Sequence, residues 1–145
     1  MRAHRRKIHI DTKSDLILRD LDILKDADGD FSLTITTLDD RISKMTEPGA
    51  PLPGKRLDAM REMVSEGLRT YALMGPVTSA LDGKEAELVE AVASTGVRRI
   101  YVDMFRERPL LKKRMARIGI GGSAAAAERI RAEGRRRGLE VLDVF

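Results

Sequence analysis

The chain reads as an α/β protein built on a mainly parallel sheet, and three observations predict this. Short β-branched or apolar runs alternate with longer segments of helical period, in the order βαβαβαβαβ. Cap and stop residues (Ser14, Gly67, Gly96 and Ser123) punctuate that alternation where helices should begin or end. The length of 145 residues suits one domain, 1–145, with a core of ordinary size. Repeated strand–helix–strand units imply right-handed crossovers and parallel neighbours. Five such strands are too few to close an eight-stranded barrel. An open doubly wound sheet and an arc of an incomplete barrel both remain open on this evidence.

The elements follow in order. Ile8–Thr12 is the first strand, after which Ser14 caps a helix carrying Leu16, Ile17, Leu21, Ile23 and Leu24. Asp28-Gly29-Asp30 forms a turn into a buried strand at Phe31–Thr36. Leu38–Met45 is a short helix broken by Glu47-Pro48. The loop through Pro48, Pro51 and Pro53 then opens a helix with Leu57, Met60, Met63 and Val64 on one face, stopped by Gly67. Arg69–Met74 is a strand, Gly75–Gly83 a loop and Lys84–Thr95 a helix closed by Gly96. Arg98–Asp103 is a strand, and Pro109–Arg117 opens the next helical stretch. Gly119, Gly121 and Gly122 interrupt it, Ser123 recaps an Ala-rich helix running to Gly138, and Glu140–Phe145 is the last strand. No Gly-x-Gly-x-x-Gly follows a strand, and Gly119-Ile120-Gly121-Gly122 reads as a helix break rather than a phosphate cradle.

Composition narrows the chemistry. Apolar residues make up 42% and charged residues 34%, a globular balance. With no cysteine, this chain has no thiolate nucleophile and no Cys-ligated zinc or iron–sulfur site of its own. No apolar stretch approaches the roughly 20 residues a membrane span needs. The basic N-terminus leads into no signal-like segment, so a cytoplasmic location is the expectation. The net charge of +4 draws on Arg2, Arg5, Arg6 and Lys7 at the start and Arg135, Arg136 and Arg137 near the end. Such clusters can meet phosphate. The aromatic residues are only Phe31, Phe105, Phe145, Tyr71 and Tyr101, so a base-stacking platform is poorly supplied and solvated surface is the expected role. His4 and His9 lack metal-like spacing and are read as neither ligands nor bases.

Ligands of parallel α/β sheets bind at the carboxyl ends of the strands. Those ends carry Asp11, Thr12, Lys13 and Ser14; then Thr36, Thr37 and Asp39 with Glu47 close by; then Thr78, Ser79 and Asp82; and finally Asp103 and Asp143. Such a ring of hydroxyls, carboxylates and one lysine suits a polar, zwitterionic ligand, with Lys13 placed to pair with a carboxylate. The bland alternatives are that Ser14 only caps its helix, that Thr36 and Thr37 only close a strand, and that Arg19 and Asp20 are a surface pair.

One ordered set of residues is more specific. Thr12-Lys13-Ser14-Asp15-Leu16 with Arg19-Asp20 is followed by Thr34-Ile35-Thr36-Thr37-Leu38-Asp39, then Glu47-Pro48-Gly49-Ala50-Pro51 with Arg56-Leu57, then Gly75-Pro76. This resembles the radical S-adenosylmethionine enzymes of the spore photoproduct lyase-like group, often labelled DNA repair photolyases. The resemblance is good over residues 4–103 and loose beyond. It implies an arc of a partial (β/α) barrel, an incomplete TIM-like barrel. It also implies a [4Fe–4S] cluster held by a Cys-x3-Cys-x2-Cys motif that this chain lacks.

On that resemblance the chain corresponds to the C-terminal half of such an enzyme, not catalytic alone. Its cluster would come only through an N-terminal half, separately encoded or missing. Lys13, Ser14, Thr36 and Thr37 would face S-adenosylmethionine, while Arg19, Asp20, Glu47 and Arg56 would be structural. After Gly75-Pro76 the residues Val77-Thr78-Ser79-Ala80 depart from the group's pattern of a second Pro and a Gly. A half-barrel would leave an uncovered edge, so pairing with the other half or self-association is expected. The alternative is a non-catalytic module binding S-adenosylmethionine, a nucleotide or nucleic acid.

Overall fold

The computed structural model describes residues 7–106 and 108–144. Arg2, His4, Arg5, Arg6 and Phe145 lie outside the described residues. Among the described residues five strands form one sheet: β1 (Ile8–Thr12), β2 (Gly29–Thr34), β3 (Thr70–Val77), β4 (Arg99–Met104) and β5 (Glu140–Asp143). Every neighbouring pair is parallel and the spatial order is β1-β2-β3-β4-β5. Sequential order decides between the two arrangements. With every right-handed crossover stepping the same way, the helices fall on one face and the sheet curls as a barrel arc; a doubly wound sheet would reverse direction.

The helices are α1 (Leu21–Asp26), α2 (Asp40–Thr46), α3 (Pro53–Ser65), α4 (Glu85–Ala93), α5 (Pro109–Ala116) and α6 (Ala124–Arg136). The core lies between them and one sheet face. Phe31, Leu33, Ala72, Met74, Ile100 and Val102 point into it from β2, β3 and β4, meeting Met60 and Met63 of α3, Leu88 and Val92 of α4, and Ile130 of α6. Period-2 alternation sends the intervening residues to the opposite, concave face: His9 and Asp11, Ser32, Tyr71 and Tyr101. Among the described residues no helix is long and apolar enough to cross a membrane.

Several boundaries differ from expectation by a residue or two, β2 ending at Thr34, α2 starting at Asp40 and β5 ending at Asp143, and three further differences have a packing reason. Gly29 and Asp30 belong to β2, because Gly29 is where β1 and β2 pack closely. A Cβ there would lie 2.7 Å from the Phe31 ring and 2.9 Å from the Ile8 carbonyl oxygen. β3 runs on through the cis Gly75-Pro76 bond to Val77, which pairs with Met104 after a register shift. The helix expected after Ser14 is instead a 3-10 turn at Asp15–Asp20 leading into α1. Of its apolar positions Ile17 and Leu24 are buried, while Leu16 and Ile23 are 64% and 66% exposed.

Candidate functional site

At the carboxyl ends of β2 and β3 a pocket of about 220 Å³ opens between α2 and α5. Its polar wall is Lys13, Thr36, Thr37, Glu47 and Thr78, and its apolar wall includes Phe105, Leu111 and Met115. Three of the residues expected to face a cofactor, Lys13, Thr36 and Thr37, therefore meet in one cavity. Ser14 lines a separate shallow depression beside Leu16 and Arg19. Its hydroxyl accepts from the Leu16 amide at 3.2 Å, which is the capping role. Arg19 and Asp20 pair at 3.0 Å on open surface.

Glu47 organises the polar wall. Its carboxylate is 7% exposed and lies 2.7 Å from Lys13 Nζ on one side and 2.6 Å from Arg56 Nη2 on the other. Arg56 is 1% exposed, and its remaining donors reach the Pro51 carbonyl at 2.7 Å and the Thr34 carbonyl at 3.1 Å. The arginine thus ties the Pro-rich loop to the end of β2 and presents one nitrogen to Glu47. Burial pushes the Glu47 carboxyl up. The adjacent Lys13 and Arg56 outweigh it together and hold the group below the ordinary carboxylate range.

The other rim residues divide into committed and free groups. Thr37 Oγ1 accepts from the Asp39 amide at 3.1 Å, and Asp39 caps α2. Ser79 Oγ accepts from the Gly121 amide at 3.1 Å, so the glycine run is pinned against the loop after β3. Asp82 accepts from Ser123 and Arg129, and Asp143 from Arg131. Among the described residues, Thr36 Oγ1 and Asp103 Oδ1 are buried without a hydrogen-bond partner. Buried polar atoms normally find partners, and of the two Thr36 lines the rim pocket, so its hydroxyl is the one left open towards it.

Sequence reading missed a second polar cluster, on the concave face. Tyr71 donates to Asp11 Oδ1 at 2.7 Å and sits 2.5 Å from His9 Nε2, while Ser32 Oγ also donates to Asp11 Oδ1. His9 Nε2 lies 3.2 Å from Asp11 Oδ2. Tyr71 is stacked on His9 and tilted against Tyr101, with ring centres 5.5 and 4.8 Å apart. Burial works to raise the Asp11 carboxyl, but the Ser32 and Tyr71 hydrogen bonds and His9 bring it below its ordinary value. Burial, then the bond to Asp11, raises the Tyr71 phenol. Residues 9 and 11 on one strand share a face, and that spacing was the available signal. The partners Ser32 and Tyr71 come from other strands.

The basic run near the C-terminus is largely neutralised at home. Arg136 and Arg137 both pair with Glu133, at 2.6 and 2.7 Å. By contrast Arg108, Lys113, Arg114 and Arg117, on and around α5, are exposed, and none makes an ion pair among the described residues.

No family model matches the chain. One stretch of 74 residues, 50% of the chain, is 36% identical to an uncharacterised protein of Methanocaldococcus jannaschii and covers 29% of it. A stretch of 110 residues is 28% identical to an uncharacterised protein, ORF301, of Acidianus two-tailed virus, covering 36% of that protein. The matches thus span about a third of the length of these curated relatives. Among solved structures, spore photoproduct lyase complexed with dinucleoside spore photoproduct superposes with a TM-score of 0.67 at 18% identity, over 95% of this chain and 51% of that one. A mutant of spore photoproduct lyase gives 0.66 at 17% identity, over 93% and 50%. The fold is therefore spore photoproduct lyase-like, an arc of a partial barrel.

Proposed function

We propose that this chain supplies the C-terminal half of a radical S-adenosylmethionine barrel, with the rim pocket as its contact to S-adenosylmethionine. The observation carrying this reading is the buried, unpartnered Thr36 Oγ1 beside Lys13 in a pocket at the strand ends. Thr36 offers a hydroxyl to the ligand, and Lys13, paired with Glu47, meets a carboxylate. Leu111 and Met115 shield the apolar side from water. S-adenosylmethionine, when reduced by one electron in enzymes of this type, supplies a 5′-deoxyadenosyl radical.

The residues present do not fit an iron–sulfur cluster. The chain has no cysteine, and among the described residues no group of three His, Asp or Glu stands where it could hold a metal. The cluster belongs, in this reading, to a Cys-x3-Cys-x2-Cys segment supplied by an N-terminal half. Calorimetry with S-adenosylmethionine tests the pocket. Thr36→Val and Lys13→Ala are each expected to weaken binding by about tenfold, the worth of one good hydrogen bond or ion pair. Absence of binding to the native chain would remove the reading.

A second reading, a nucleic-acid contact, is favoured by the exposed cations on and around α5, the helix that also lends Leu111 and Met115 to the pocket. Affinity for DNA is then expected to fall steeply with added salt, and Lys113→Ala/Arg114→Ala to reduce that slope by about two. Neutralising Arg136 and Arg137 should change little, since Glu133 already offsets them. A salt-independent affinity would count against nucleic acid.

A further inference from the structure

The concave face holds a second cavity, remote from the strand ends where the rim pocket lies. It is a hollow of about 360 Å³ at the amino-terminal ends of the strands. Four cations line it: Lys7, Arg69, Arg98 and Arg99. Two of them are spoken for. Arg69 pairs with Asp28 at 2.6 Å and Asp30 at 3.1 Å, and Arg99 with Glu140 at 2.6 Å. Lys7 and Arg98 are exposed and make no ion pair among the described residues. The hollow therefore keeps an excess of positive charge that the local carboxylates leave unmatched.

His9 borders this hollow. It follows Lys7 by two residues, lies opposite Asp30 in register, and contacts Tyr71, which lines the hollow. Asp11, which accepts from Ser32 and Tyr71, lies 3.2 Å from His9 Nε2 and holds the ring beside the hollow.

We propose that this hollow is a binding site for a small tetrahedral oxyanion of the phosphate or sulfate type, with Lys7 and Arg98 as its charged contacts and His9 at its border. The site is independent of the rim pocket and of S-adenosylmethionine. A purely structural role, an ion-pair floor under the sheet, would need no unmatched cations and no histidine oriented from behind by a carboxylate.

Sulfate is the suitable probe because it does not itself titrate near neutrality. Ring-nitrogen NMR of the ¹⁵N-labelled full chain, assigned with His4→Gln, would be followed during sulfate titration at constant ionic strength. Sulfate is expected to move the His9 signals saturably. Lys7→Ala/Arg98→Ala should weaken binding by about tenfold or more. Removing the same charge on and beside α5 with Arg108→Ala/Lys113→Ala should leave it intact. Unmoved His9 signals, a non-saturating response, or equal affinity in the Lys7/Arg98 variant and the native chain would overturn the proposal. Lys7, Arg98, Arg108 and Lys113 are exposed, and the amide spectrum reports whether each variant keeps its fold.

Discussion

Glu47 is the side chain on which the rim depends most. Both its neighbours are cations, and Arg56 is almost wholly buried with it. Arg56→Ala would leave a buried carboxylate facing Lys13 alone and free two backbone carbonyls, at a cost of about 3–5 kcal/mol in urea unfolding. Acid should act on the same group. Its folded-state value lies below the ordinary 4.5, so its stabilisation is complete above that value and is lost as pH falls through the folded one. The native chain is thus expected to lose stability on acidification below the ordinary carboxylate range, and Glu47→Gln to flatten that dependence. A native-like acid profile in that variant would show that other carboxylates dominate. The Glu47–Arg56 grouping was visible in the residue order by resemblance alone. Lys13 as a third member was not, because only the approach of the β1 end to the α2–α3 loop brings it there.

Between elements, the tightest constraint is where β3 meets β4. A Cβ on Gly75 would lie 2.5 Å from Asp103 Cβ and 3.0 Å from the Asp103 carbonyl oxygen, and the β4 backbone cannot yield. Gly75→Ala is therefore expected to cost about 1–3 kcal/mol and to displace Asp103 at the rim. Gly54→Ala in α3 meets nothing within 4 Å and serves as the control, neutral or stabilising through helix propensity. Equal melting temperatures for the two variants would refute the close-approach argument. Element type was largely legible in the residue order, since 2.0 and 3.6 periodicities and caps are local signals. The continuation of β3 to Val77 was not, because it is set by pairing with Met104 and by the Thr78–Gly122 bridge.

For the whole molecule, the arc leaves two strand edges unpaired among the described residues. There β1 pairs only with β2 and β5 only with β4. Beside β1, Ile8, Leu16 and Ile23 are exposed. Backbone donors and acceptors next to apolar surface form a template for another chain. Light scattering is expected to show association that grows with concentration, and Leu16→Lys/Ile23→Lys to reduce it; a stable, high-melting monomer would contradict this. The residue order by itself determined the parallel α/β class, the punctuation of its helices and the lack of thiolate ligands, because periodicity, capping and composition are properties of local sequence. The resemblance implied the arc, and tertiary structure established it over the doubly wound sheet, since sequential strand order is a relation among distant segments. It also decided which polar groups are spent on each other and which are left open. Thr36 and Asp103 remain unpartnered while Thr37, Ser79 and Asp82 are committed, and His9 is held by Asp11 and Tyr71 across three strands. Hydrogen-bond satisfaction depends on who is within 3 Å, and only the folded chain sets that.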